Sequence, residues 1–196
     1  MSEYSWSHKL SSLEVLDSHG INTPKLLEAI NSRAEIISKH ARIKRLKTPI
    51  VSVRTERNGD FNCPHYPNYR VEYVPWDSLF HNRYHVLVFE AIDPQDCEVK
   101  GNCYMDRMGD RFIVEAKEGP GTVRGMKIPT TIKIPITQFV SSTHIVSSFD
   151  IMKVLENYMR IAKDFEGDIM EWSIYKNPVG KKQEKFIAWE LRPWKS

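Results

Sequence analysis

Glu171 and Glu190 lie in two alternating runs that read as the arms of a β-hairpin. The runs are Asp168 to Tyr175 and Phe186 to Arg192, joined by a polar, turn-like stretch from Asn177 to Glu184. Folding about Gly180 and Lys181 sets Trp172 against Trp189, Ile174 against Ile187 and Met170 against Leu191 on an apolar face. Glu171, Glu190 and Arg192 then share the other face with Ser173 and Ala188. Directly opposed side chains have Cβ atoms roughly 4.5–5.5 Å apart, and two carboxylates at that distance repel unless one is protonated or a cation lies between them. A divalent metal is one resolution. A two-residue slip to diagonal positions, or neutralisation by Arg192 or a nearby lysine, is another, and the hairpin alone leaves both open.

The elements that must carry this hairpin follow from the rest of the chain. Leu10, Leu13 and Leu16 form a stripe that predicts a helix from about Lys9 to His19, stopped by Gly20. After a turn with Pro24, the helical spacing of Leu27, Ile30, Ala34 and Ile37 predicts a second helix from Pro24 to about Leu46. Pro49 to Arg54 reads as a strand, and Asn58-Gly59-Asp60 with Cys63 to Pro67 as loop. Strands are expected at Tyr69–Val74, His85–Ile92, Gly101–Met105, Arg111–Ala116 and Met126–Pro135. Asp150 caps a last helix, whose stripe from Ile151 through Leu155 and Tyr158 to Phe165 ends at Gly167.

Composition narrows the class. With 196 residues, 41% apolar and 27% charged, the chain can bury a full core as one domain or two intimate lobes. Its net charge of +3 is too small to demand a nucleic-acid partner, and the basic run Arg42, Lys44, Arg45 and Lys47 reads first as a solvated helix face. Cys63, Cys97 and Cys103 are odd in number and lack paired CxxC spacing, so neither a disulfide framework nor a zinc site is indicated, and a reducing, cytoplasmic setting is expected. His65 beside Cys63 reads as part of a loop packed by its own prolines and aromatics rather than as a ligand or nucleophile. The start MSEYSWSHK has no signal-peptide core and no stretch is long enough to span a membrane, so no membrane partner is expected.

Taken in order, four segments resemble the ATP-grasp nucleotide-binding domain of the phosphoenolpyruvate synthase and pyruvate phosphate dikinase family, in shortened form. Ser7-His8-Lys9 with Leu13 and Leu16, followed by Gly20-Ile21-Asn22-Thr23-Pro24, is similar to the family's opening GGK motif and its G-x2-VP turn. Pro49 to Thr55 resembles its VRSS strand end. Val86 to Ile92 resembles the hinge strand beside the adenine, Gly101 to Asp106 the GVxFTxD strand, and Ile113 to Ala116 with Gly119-Pro120-Gly121 the IxEA and GLGE pieces. Glu171-Trp172 and Trp189 to Pro193 resemble the closing EW hairpin and QARP end, the most specific of the four.

The resemblance implies an α+β, ATP-grasp-like domain over residues 1–196, mainly antiparallel sheets with flanking helices, in lobes of about 1–84 and 85–196 around a cleft. It implies ATP and Mg²⁺ as cofactors. Lys9, Arg54 and Arg192 would hold and activate phosphates, Glu90 and Ile92 would line the nucleotide, and Glu171 and Glu190 would hold the metal. The activity implied is phosphoryl transfer by a kinase- or dikinase-like enzyme to an unidentified acceptor or partner protein. Several positions depart from the family pattern. Ser7-His8 replaces two glycines, Thr55 to Asp60 replaces the residues after the family's arginine, Glu190 stands where the family has glutamine, and Thr122 replaces the acid of the GLGE loop. The phosphohistidine and pyruvate-binding domains are not part of these 196 residues. The alternative is therefore a non-catalytic ATP-grasp relic that binds a protein or nucleic acid through the Arg42 to Lys47 face; a domain of unrelated fold is the third reading.

Overall fold

The computed structural model describes residues 9–30, 49–56, 63–82, 84–106, 108–119, 130–139, 151–165, 167–175 and 185–193. The chain forms two compact units, Pro24–Pro94 and a larger one of Met1–Thr23 with Gln95–Ser196. The division expected at 84/85 thus falls inside the smaller unit, because the strand that follows residue 84 pairs within that unit's sheet.

The smaller unit carries strands β1 (Leu26–Ile30), β2 (Ile50–Glu56), β3 (His65–Arg70) and β4 (His85–Glu90), in the spatial order β1-β4-β2-β3 with antiparallel neighbours. Helix α1 (Lys9–Ser18) belongs to the larger unit, and α2 (Trp76–His81) lies between β3 and β4. Val51, Val53, Val86 and Val88 build the core on one face of this sheet, with Leu79 and Trp76 packed there and the Trp76 indole donating to the Val71 carbonyl at 2.9 Å. Leu87 and Phe89 on the opposite face are also buried, so β4 is apolar throughout rather than alternating.

Two sequence expectations change here. Residues 26–30 form a strand instead of the start of a helix: β4 needs a partner on its second edge, and that pairing outweighs the weak helical preference of Leu, Glu and Ala. The rest of that expected helix, with the basic run, lies outside the described residues. The strand expected at Tyr69–Val74 begins earlier, at His65, and gives way to a 3₁₀ turn at Val71–Tyr73. The pairing of β3 to β2 slips by one residue at Asn68, which takes φ 53° and donates its N–H to Ser52 Oγ at 3.2 Å.

The larger unit is a five-stranded antiparallel sheet in the order β7-β6-β5-β8-β9. Its strands are β5 (Cys97–Met105), β6 (Arg111–Glu118), β7 (Thr130–Pro135), β8 (Ile169–Tyr175) and β9 (Lys185–Arg192), with the short helix α3 (Ile136–Phe139) after β7 and α4 (Ile151–Met159) before β8. Alternation gives this sheet two unlike faces. Val99, Cys103, Phe112, Val114, Met170 and Trp172 share the apolar one, against which α4 buries Val154, Leu155 and Tyr158. Tyr158 fixes the helix: its ring meets Phe112 edge-on at 6.1 Å, and its hydroxyl donates to the Asp168 carbonyl at 2.9 Å while accepting from Met105 N–H at 3.0 Å.

Edge strand β9 is covered by α1. Leu191 N–H donates to Ser12 Oγ, and Ala188 N–H donates to the Asn22 carbonyl at 2.8 Å, so outward donors of the edge are satisfied within the unit. Gly20 ends α1 at φ 68°, with Ile21 N–H returning to the Leu16 carbonyl and Gly20 N–H to that of Asp17, while Ile21 packs its buried side chain beneath the helix end. From the other side Arg160 donates to the Gly20 carbonyl at 2.6 Å, and His19 Nε2 stands 3.1 Å from Asp164 Oδ2; the Val15 carbonyl at Nδ1 first, and then this carboxylate, raise the imidazole pKa. This clasp seats α1 against the turn that follows α4.

Gly101 marks the tightest approach between strands. A Cβ there would fall 1.7 Å from the Glu115 carbonyl oxygen of β6, a backbone atom that cannot swing aside. Gly101→Ala is therefore expected to destabilise the protein by about 1–3 kcal/mol or more, read as a lowered urea midpoint. An unchanged midpoint would show that the two strands are not held this close.

Candidate functional site

The pairing of β8 with β9 places Glu171 opposite Glu190 and Met170 opposite Leu191, as the sequence predicts. Beyond Glu171 the register shifts by one, so Trp172 faces Ala188, Ser173 faces Ile187, and Trp189 is the extra residue of a bulge. The expected pairs Trp172–Trp189 and Ile174–Ile187 do not form. Trp172 is fully buried and stacks on Phe186 at 6.4 Å, whereas the Trp189 indole donates to Ser173 Oγ at 3.0 Å, on the polar side of the sheet. The expected turn about Gly180 and Lys181 lies outside the described residues.

The acidic pair belongs to a longer rung. Reading across the sheet, Glu115 of β6 is opposite Asn102 of β5, Asn102 opposite Glu171 of β8, and Glu171 opposite Glu190 of β9. All four side chains therefore stand on the polar face. Asn102 Nδ2 donates to Glu115 Oε2 at 3.0 Å and the Tyr104 hydroxyl donates to Glu115 Oε1 at 3.3 Å, so both oxygens of that carboxylate are engaged. One strand position along, Lys100 faces Lys117 and Ser173. Burial pulls the Lys100 pKa down, Lys117 adds to the fall, and Cys97 and Glu171 oppose it.

Lys9, the first residue of α1, reaches this face. Its Nζ is 3.4 Å from Glu190 Oε2, with about a quarter and a fifth of the two side chains exposed (25% and 21%). A lysine thus neutralises part of the acidic pair, one of the resolutions the sequence left open. Arg192, two residues beyond Glu190, projects from the same face, and its Nε is buried with no acceptor among the described residues. Among the described residues no three His, Cys, Asp or Glu side chains gather as a metal-ligand group. Two carboxylates nonetheless suit Mg²⁺, a hard cation held by one or two carboxylates with water and phosphate oxygens completing its shell.

Arg54, Glu90 and Ile92 lie in the smaller unit. Arg54 is half-buried in β2, opposite Leu87 and His65. Glu90 ends β4 opposite Val51, with its N–H on the Lys25 carbonyl at 2.9 Å and its carboxylate 3.5 Å from Lys25 Nζ. By register Arg54 and Glu90 project from opposite faces of the small sheet, so they do not converge across it. Ile92 is half-buried just past the strand. The residues that sequence reading missed are Asn102, Tyr104 and Glu115 with Lys100 and Lys117. Their signal was the strict alternation of Lys100, Asn102 and Tyr104 with Val99, Gly101 and Cys103, which marks a polar sheet face.

No family model and no curated protein sequence matches the chain. Solved structures do. D-alanine–D-alanine ligase from Helicobacter pylori superposes with a TM-score of 0.58 at 13% identity, over 95% of this chain and 54% of that one. N5-carboxyaminoimidazole synthetase from Staphylococcus aureus, complexed with ADP, gives 0.55 at 15% identity over 95% and 43%. D-alanyl-alanine synthetase A from Vibrio cholerae gives 0.54 at 13% identity over 95% and 54%. The fold is therefore ATP-grasp-like, α+β with mainly antiparallel sheets and flanking helices. The chain spans about half the length of these enzymes, which are synthetases and ligases. Among the described residues no helix is long and apolar enough to cross a membrane.

Tyr104 reports on the rung. Burial first, and then the Glu115 carboxylate beside it, push its phenol from 10.0 up to about 12. The folded chain thus holds this proton more tightly than the unfolded one, and the stability so gained is complete below pH 10 and lost as pH rises to about 12. Glu115→Gln removes the charge and leaves the burial, so the Tyr104 resonance followed by NMR should titrate at lower pH than in wild type while remaining above 10. An unmoved titration would place Glu115 away from the phenol.

Proposed function

We propose that this chain binds ATP with Mg²⁺ on the polar face of its five-stranded sheet and supports phosphoryl transfer to an acceptor not identified by the fold. The observation that carries this reading is the pair Glu171 and Glu190, opposed in register on one face, with Lys9 at Glu190 and Arg192 on the same side. Mg²⁺ bound there supplies positive charge for phosphate oxygens and for the charge that builds during transfer. The chain's own residues do the rest. Glu171 and Glu190 supply anionic oxygens, Lys9 supplies an ammonium within reach of Glu190, and the buried Arg192 Nε, which has no acceptor among the described residues, would donate to a phosphate oxygen. Arg54 is assigned to phosphate, and Glu90 and Ile92 to the nucleoside, on the motif resemblance.

Two reaction classes fit this reading. The four motif segments favour a dikinase- or kinase-like phosphotransferase related to phosphoenolpyruvate synthase and pyruvate phosphate dikinase; the structural neighbours, which are ligases and synthetases, favour a ligase. A binding module without turnover retains nucleotide affinity and lacks ATP consumption, and an ATPase assay with candidate acceptors separates it from both.

Thermal denaturation with Mg-ATP tests the binding itself. At a ligand concentration about 100 times Kd, the folded state gains about 2.7 kcal/mol, and a tenfold loss of affinity removes about 1.4 kcal/mol of that gain. Glu190→Gln removes the repulsion from Glu171 together with the Lys9 ion pair, so its ligand-free stability should stay within about 1 kcal/mol of wild type while its Mg-ATP shift in Tm shrinks. A variant that melts lower without ligand and keeps the full shift would make Glu190 a purely structural partner of Lys9.

A further inference from the structure

Resting on the reading of Glu171 and Glu190 as a cation site, we propose that Asn102 supplies a third protein oxygen to that cation, aimed by Glu115. Asn102 stands between two acids of the rung, Glu115 on the β6 side and Glu171 on the β8 side. An ionised carboxylate only accepts hydrogen bonds, so the amino end of the amide is the end that serves an acid, and the carbonyl end is left for a cation. The contact is made with Glu115: Nδ2 donates to Oε2 at 3.0 Å. With Nδ2 held there, Oδ1 is the end of the amide that Glu115 does not engage, and by register Glu171 is the neighbour on the other side.

That leaves an amide oxygen beside a carboxylate, two acceptors that a cation satisfies together. Amide carbonyls are ordinary ligands of hard divalent ions, and a neutral oxygen adds coordination without adding to the repulsion between Glu171 and Glu190. Glu115 then acts as a positioning residue. Its second oxygen accepts from Tyr104 at 3.3 Å, and its own backbone carbonyl is pressed against Gly101, the residue before Asn102, so the partner that orients the amide is fixed at both ends. This separates the two carboxylate roles on the rung: Glu171 and Glu190 bind, and Glu115 aims.

Mn²⁺ alone, titrated into the full chain and followed by the EPR signal of the free ion, tests this without any turnover. Wild type is expected to bind, with Glu171→Gln as the control that weakens binding. Asn102→Ala should bind about tenfold more weakly, in the range found when an oriented ligand or its support is lost. Asn102→Asp keeps an oxygen at the position and should recover at least the wild-type affinity, although facing Glu115 it should melt lower than wild type in the absence of metal. Circular dichroism confirms that each variant is folded at the titration temperature. If Asn102 only braces Glu115, both variants lose stability and keep the wild-type Mn²⁺ affinity, which overturns the proposal and leaves the cation site standing. Wild type that takes up no Mn²⁺ overturns the cation site itself, and the role of Asn102 with it.

Discussion

Two negative charges held face to face across β8 and β9 organise the larger unit. Opposed glutamates at half-buried positions are costly, and the register that forces them together is set by features that cannot easily slip. Met170 and Leu191, next to the acids, are fully buried on the reverse face, so a one-residue shift would drive both into water and carry the acids into the core. The bulge at Trp189 confines the irregularity to the far side of the pair. Helix α1 then covers the open edge of β9 and delivers Lys9 to Glu190, so one element both seals the strand and places a cation at the acids.

The alternation of a β-sheet separates the tasks. One face, with Trp172, Met170, Cys103 and Phe112, is built for burial and receives α4 through Tyr158. The other gathers Glu115, Asn102, Glu171, Glu190, Lys9 and Arg192 with Lys100 and Lys117, a face on which acids and cations are interleaved, Lys9 meeting Glu190 directly. The complement proposed for this face is a polyanion bridged by a divalent cation, and the fold is shared with enzymes that include two solved with ADP. The rigid parts also support it from behind: the close contact at Gly101 locks β5 to β6 at the level of Glu115.

Local chemistry made the hairpin legible. Alternating apolar residues in Asp168–Tyr175 and Phe186–Arg192 fixed the strands and the opposition of Glu171 and Glu190; the bulge escaped because an apolar Trp189 fits the alternation of its arm, while its indole found Ser173 through a tertiary contact. The stripe of Leu10, Leu13 and Leu16 with Gly20 marked α1 within a residue of its observed end. Where preference and pairing conflicted, pairing won. Leu26 to Ile30 have helical spacing and became an edge strand, because the demand of β4 for a partner is not written in those five residues. The ion pair of Lys9 with Glu190 joins positions 181 residues apart and could be read only from how α1 seats on β9. Asn102, Glu115 and Tyr104 were visible as an alternating polar set, but their meaning depends on the strand order, which places them beside the acids.

The most direct measurement of the central claim is anomalous diffraction from crystals grown with Mn²⁺ and a non-hydrolysable ATP analogue. The account predicts a manganese peak coordinated by the carboxylates of both Glu171 and Glu190, with the analogue's phosphates on the same face of the sheet and Lys9 and Arg192 turned toward them. A nucleotide bound with manganese elsewhere, while Glu171 and Glu190 remain without metal and Lys9 stays on Glu190, would contradict it.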